Sequence, residues 1–112
     1  MKQSTDSRLG KLRIIGGSLR GSKLAVDDVA GLRPTPDRVR ETLFNWLAPI
    51  IDGARCLDLF AGTGALGVEA LSRGAASVDF VERDPRLAQS LRQNLQRLRQ
   101  ADATVRCADA LQ

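Results

Sequence analysis

The chain has 112 residues, 43% of them hydrophobic, and a formal charge of +4. That is enough apolar material for a core and too much for a disordered segment. With no histidine and no tyrosine, the composition excludes Ser-His-Asp chemistry, histidine-ligated zinc and histidine acid/base catalysis within these residues. No apolar run approaches the ~18 residues of a membrane span, and Met1–Arg8 lacks the apolar centre of a secretion signal. Cys56 and Cys107 lie in apolar or strand-like runs and read as buried structural thiols rather than a disulfide or metal pair. The expected compartment is the cytosol. Charge is unevenly placed: residues 1–40 hold nine Lys/Arg against four Asp/Glu (+5), and residues 41–112 hold eight against nine (−1). The basic end is the part expected to meet phosphate.

After a polar start at residues 1–8, Leu12–Val26 contains two short aliphatic runs around Gly16-Gly17-Ser18, the pattern of a β-hairpin. Arg8, Lys11, Arg13, Arg20 and Lys23 lie in or beside it, and no acid occurs between Ser7 and Val26. Ordinary surface charge and phosphate contact both remain open here. With no aromatic residue interleaved, the phosphate reading implies neutralisation of a nucleic-acid backbone and not base stacking. A linker over residues 27–34 leads to Arg33-Pro34-Thr35-Pro36-Asp37, which predicts a helix capped by Thr35 with Pro36 in its first turn. Val39, Leu43, Trp46 and Leu47 recur at helical spacing and should face the core, with Arg38 and Arg40 directed elsewhere. Pro49 and Asp52-Gly53 should close the helix.

Strands are predicted at Arg55–Phe60, Ser77–Glu82 and Thr104–Cys107. Helices are predicted from about Ala65 to Arg73, stopped by Gly74, and from Asp84-Pro85 onward, where Leu87, Leu91, Leu95 and Leu98 form an apolar stripe. This β-α-β-α-β order demands parallel strands with right-handed crossovers. The expected fold is α/β, a Rossmann-like doubly wound parallel sheet preceded by a basic β-hairpin. Residues 1–34 form the hairpin and linker, and residues 35–112 the first part of a larger domain.

The densest signal is Leu57-Asp58-Leu59-Phe60-Ala61-Gly62-Thr63-Gly64-Ala65-Leu66-Gly67. It reads as a strand ending in a carboxylate, a glycine loop and a helix start. Glycine allows positive φ and close approach of a ligand, and the helix start offers N–H groups to something polar or anionic. Asp58, Glu82 and Asp109 each follow a predicted strand, so they should gather at one sheet edge. Glu82, 20 residues past Gly62, suits a ribose and is compatible with NAD. Asp58 argues differently: a carboxylate beside the loop repels pyrophosphate and suits the ammonium and sulfonium of S-adenosylmethionine. Asp109 can accept from an adenine amine. Metal binding by the three is poorly supported, because each belongs to a different loop.

With Arg13-Ile14-Ile15-Gly16-Gly17, Arg20-Gly21 and Arg33-Pro34-Thr35-Pro36-Asp37-Arg38-Val39-Arg40-Glu41 upstream, the glycine motif resembles that of the RsmD-type guanine-N2 methyltransferases of 16S ribosomal RNA, a class I S-adenosylmethionine-dependent family. The resemblance runs from Leu12 to Asp109. It implies S-adenosylmethionine held by Asp58, Phe60, Ala61, Gly62, Thr63, Gly64, Glu82, Arg83, Asp109 and Ala110. In these terms Asp58 serves the amino end, Glu82 the ribose and Asp109 the adenine. It also implies RNA contact by Arg8, Lys11, Arg13, Arg20 and Lys23, while Arg33 and Arg38 face either RNA or the cofactor crevice. The partner implied is 16S ribosomal RNA or the small ribosomal subunit, with no metal or membrane and a monomeric protein. The family's Asn/Asp-Pro-Pro-aromatic motif, which holds the target amine, is absent; Asp84-Pro85-Arg86 lacks the second proline. The 112 residues are therefore expected to hold the donor without positioning the acceptor, and to be inactive alone. Rival readings are an NAD-dependent oxidoreductase, a non-catalytic RNA-binding module, and a methyltransferase acting on DNA or protein.

Overall fold

The computed structural model describes residues 11–25, 36–59 and 61–111, with Lys11 described by its backbone. Thr35 lies outside these residues. The elements are β1 (Lys11–Arg13), β2 (Lys23–Ala25), α1 (Asp37–Ile51), β3 (Arg55–Leu59), α2 (Ala65–Ser72), β4 (Ser77–Glu82), α3 (Pro85–Arg97) and β5 (Ala103–Cys107). β1 and β2 pair antiparallel as a hairpin, and β3-β4-β5 form a parallel sheet in that order.

Register decides which residues share a face. Asp58 lies opposite Phe80, and Val78, Phe80 and Glu82 lie opposite Ala103, Val105 and Cys107. Side chains alternate along a strand, so Cys56, Asp58, Val78, Phe80 and Glu82 share the helix-covered face. On this face Phe80, Val78, Val68, Leu91 and Leu95 form the core with Phe44 and Ile51 of α1. Gly67 is small for a packing reason: a Cβ there would lie 2.2 Å from Phe80 Cε2, so α2 can sit this close to the sheet only without a side chain. On the opposite face Leu57 and Leu59 are exposed, and no described helix covers them.

α3 follows its sequence signals. The Asp84 side chain accepts from Arg86 N at 2.8 Å, Pro85 opens the helix, and Leu87, Leu91 and Leu95 are buried with Leu98 packed beside them. α1 departs from the prediction. Phe44 and Ile51 are buried and Leu43 and Leu47 partly so, whereas Val39 is 53% and Trp46 75% exposed. The buried stripe is instead begun by Arg40, which has no exposed surface. Pro49 sits inside the last turn of α1 rather than ending it. Cys56 is half-buried, but Cys107 is exposed with Sγ 3.6 Å from the Arg83 carbonyl oxygen, contrary to the buried-thiol reading.

Arg40 is buried because Glu69 of α2 is. The Glu69 carboxylate accepts from Ile15 N at 3.0 Å and Gly16 N at 2.9 Å, from Arg40 Nη1 at 3.3 Å and from Arg73 Nε at 2.9 Å. Arg40 Nη1 also donates to the Arg13 carbonyl at 3.0 Å, and its Nη2 reaches Asp37. Ser72 extends the attachment: its carbonyl accepts from Ser18 N at 2.7 Å and its hydroxyl from Leu19 N at 2.8 Å. On the other side Asn94 pairs with both backbone groups of Ala25, at 3.3 and 3.2 Å. The hairpin is thus fastened across α2 and α3. Replacing one member of a buried ion pair leaves the others uncompensated, so Glu69→Gln is expected to cost about 3 kcal/mol in urea unfolding.

Candidate functional site

The crevice is built where the three parallel strands end. β3 feeds the loop 61–64, whose Ala61 N–H donates to the Val81 carbonyl at 2.9 Å; beyond β5, Ala108 N–H donates to the Glu82 carbonyl at 3.0 Å. The exits of β3 and β5 are thereby joined to the last residues of the central strand. This places Asp58, Glu82 and Asp109 at the same sheet edge.

Gly62 and Gly64 adopt left-handed φ of +59° and +84°, a conformation that costs glycine little. Gly64 is also the N-cap of α2, and a Cβ there would meet Leu91 Cδ1 at 2.3 Å. Several donors of the loop and helix start are already engaged. Gly62 N donates to Glu82 Oε1 at 2.7 Å and Gly67 N to Asp58 Oδ2 at 3.1 Å. Gly64 N donates to the Ala61 carbonyl at 2.8 Å and Ala65 N to Thr63 Oγ1 at 3.2 Å. The helix start is expected from sequence to offer its N–H groups to something polar or anionic; Gly67 N of the helix and Gly62 N of the loop are instead taken by the chain's own carboxylates, which put negative charge where a phosphate would have to sit.

Glu82 is nearly buried, and its second oxygen accepts from Asp84 N at 2.8 Å, so both oxygens are oriented by backbone donors. Asp58 is half-buried. Burial, and secondarily the charge of Glu82, push its carboxyl up to about 6, against the opposing pull of the Gly67 N–H. The same two influences, burial first and then the Asp58 charge, raise the Cys56 thiol. Asp109 is half-buried two residues beyond β5, and its Oδ1 accepts from Leu111 N at 2.9 Å, so it also shapes its own turn. Ala61, Thr63 and Ala110 are half-buried along the same edge, and Arg83 is exposed beside it. Phe60 lies outside the described residues.

Of the cations read from the sequence, Arg13, Arg20, Lys23 and Arg38 are exposed. Arg8, Arg33 and the Lys11 side chain lie outside the described residues. Sequence reasoning missed Arg40, Glu69, Ser72 and Asn94, which hold the hairpin in place. One signal was available for Glu69: it is the lone acid in the apolar run Ala65–Leu71, a position where an unpaired charge would be costly.

The family described as Conserved hypothetical protein 95 matches residues 12–112. The chain belongs to this family, that of ribosomal RNA small subunit methyltransferase D. It is 56% identical over 111 residues to the Escherichia coli K12 protein of that name, covering 99% of this chain and 56% of the relative. The Haemophilus influenzae protein of the same name is 55% identical over 98 residues, covering 88% and 51%. The solved structure of Escherichia coli yhhF superposes with a TM-score of 0.85 at 54% identity, over 91% of this chain and 55% of that one. The chain spans about half the length of the curated relatives it matches. Family and fold are therefore those the glycine motif and the Arg-Pro-Thr-Pro segment implied: the methyltransferase D family and part of its Rossmann-like α/β fold.

The Asp58 carboxyl gives a pH prediction with a definite sign. In the fold it keeps its proton up to about 6, whereas its ordinary value is 3.8. Between those values the unfolded chain has released a proton that the folded chain retains, so this group's contribution to stability falls as pH rises. Asp58→Asn should gain stability relative to the unsubstituted chain between pH 4 and 6, as read by urea unfolding at several pH values. A constant difference across that window would remove the assignment.

Proposed function

We propose that this chain binds S-adenosylmethionine at the Asp58–Glu82 edge as the donor-holding part of an enzyme that methylates the exocyclic N2 amine of a guanine in 16S ribosomal RNA. The observation that carries the choice of cofactor is the pair of hydrogen bonds from Gly62 N and Gly67 N to Glu82 and Asp58. A dinucleotide would bring pyrophosphate against those carboxylates, whereas a ligand with an ammonium and a sulfonium brings compensating positive charge. The RNA substrate is supported by the relatives' name and by the exposed cations of the hairpin.

Bound by Asp58, Glu82 and the glycine loop, S-adenosylmethionine would supply an electrophilic methyl group for transfer to the guanine amine. The residues of this chain bind and orient. Glu82, with each oxygen already fixed by one backbone N–H, has lone pairs left to accept two ribose hydroxyls. Asp58 has Oδ1 available to an ammonium while Oδ2 holds Gly67. We assign Asp109 and Ala110 to the adenine edge and Ala61, Thr63, Gly64 and Arg83 to the loop and its rim, with Phe60 assigned to the same site from the sequence motif alone. The left-handed glycines let the methionine part approach the main chain. Orientation contributes the rate enhancement expected for a delocalised amine, which agrees with the lack of a histidine base. We assign no residue of this chain to the acceptor, because the Pro-Pro motif is absent from it. We place the enzyme in the cytoplasm as a monomer acting on ribosomal RNA or the small subunit.

Isothermal titration with S-adenosylhomocysteine and with NADH tests the cofactor: binding of the first and not the second is expected, and tight NADH binding alone overturns the reading. Glu82→Ala should weaken S-adenosylhomocysteine by about 2 kcal/mol, roughly thirtyfold, through loss of the ribose contacts. Unchanged affinity would remove Glu82 from the site.

A further inference from the structure

From Pro85 to Ala101 the chain carries Arg86, Arg92, Arg97 and Arg99 and no acidic residue. The buried side of α3 is taken by Leu87, Ala88, Leu91, Asn94 and Leu95. Positions 86, 90, 93 and 97 recur every three or four residues and so form one stripe along the helix. Arg86, Gln93 and Arg97 are exposed on it and Ser90 is half-buried.

The two ends of this stripe meet the two features already described. At the C-terminal end the Arg97 guanidinium donates to the Lys23 carbonyl and, at 3.1 Å, to Asn94 Oδ1, so it lies against β2 of the hairpin. At the N-terminal end Arg86 is in the first turn, two residues after Asp84, whose own N–H is held by Glu82. The eleven helical steps from Arg86 to Arg97 span about 16 Å. The hairpin contributes a matching anomaly. Arg13 lies directly opposite Lys23 on the outward face, a like-charge cross-strand pair that destabilises a sheet unless something anionic answers it. Among the described residues the ion pairs involve Arg40 and Arg73, and none engages Arg13, Lys23, Arg86 or Arg97.

We propose that the outer stripe of α3, Arg86-Ser90-Gln93-Arg97, is a track for the phosphate backbone of RNA, leading a strand from the basic hairpin to the cofactor edge. This rests on the reading of the chain as an RNA methyltransferase. The hairpin is bolted to the far ends of α2 and α3 by Glu69, Ser72 and Asn94, so a strand gripped there must cross the length of a helix to reach the methyl donor. α2 is almost wholly buried, whereas α3 runs between the same two regions with an exposed outer stripe. The arginines neutralise phosphate, and Gln93 and Ser90 offer hydrogen bonds to phosphate or 2′-hydroxyl groups. With no aromatic residue on the stripe, the track is indifferent to base identity.

The test is filter binding of a 16S ribosomal RNA transcript by the full chain across a range of salt concentrations. Arg86→Gln/Arg97→Gln should flatten the slope of log affinity against log salt by about 1.4, the value for two single-strand phosphate contacts. Arg92→Gln, whose guanidinium bonds the Val105 carbonyl off the stripe, should leave the slope unchanged. Arg97→Lys, paired with Arg86 intact, should retain the full slope, which separates lost charge from loss of the bond to Lys23; a thermal melt of each variant checks that the fold is kept. If Arg13→Gln/Lys23→Gln flattens the slope and the α3 pair does not, the track is overturned and RNA binding by the hairpin stands. If neither pair alters it, the RNA reading fails with the track. An equal effect from Arg92→Gln would reduce the result to overall charge and also overturn the track.

Discussion

One carboxylate sets the arrangement of everything outside the sheet. Glu69 is completely buried and is met by two backbone N–H groups of the hairpin and two guanidinium groups. A charge in that position is tolerated only when it is fully hydrogen-bonded and compensated. The donors come from three separate parts of the chain, so satisfying Glu69 requires the hairpin, α1 and α2 to be in one place at once. The basic hairpin is therefore a fixed platform. Arg73 completes the contact by stacking over Phe44 at 5.5 Å, coupling the charged cluster to the apolar core.

The same helix carries the site. α2 begins at the left-handed Gly64 of the glycine loop and ends at Ser72, which holds Ser18 and Leu19 of the hairpin. One rigid segment of eight residues thus fixes the distance between the glycine loop and the exposed cations of the hairpin. The glycines divide the labour: Gly62 and Gly64 permit the turn, while Gly67 permits close approach to Phe80.

The crevice is acidic by construction. Glu82 and Asp58 take the N–H groups that a phosphate-binding loop would leave open, and their mutual repulsion contributes to the elevated Asp58 carboxyl. That electrostatic arrangement is unfavourable to a pyrophosphate, which the spacing of glycines and acid alone would admit.

Much of this was legible in the residues. Glycine spacing, the Asp84-Pro85 cap, the leucine stripe of α3 and the acids after each strand are local or periodic signals, because they follow from backbone conformation and side-chain period. With the Arg-Pro-Thr-Pro segment they also identified the family. Periodicity failed on α1, where it sent Val39 and Trp46 inward and Arg40 outward, and it counted Cys107 as buried. Those outcomes depend on what packs against each face. Arg40 goes inside because Glu69, distant in sequence, needs a second cation there, and an apolar residue at the same helical phase would leave that charge to Arg73 alone. The use of the loop's N–H groups was equally hidden, since it depends on register between strands that no single segment encodes. Order, element type and site chemistry are thus properties of the chain itself. Which charges are buried, and which donors remain for a ligand, are decided only when distant segments compete for the same partners.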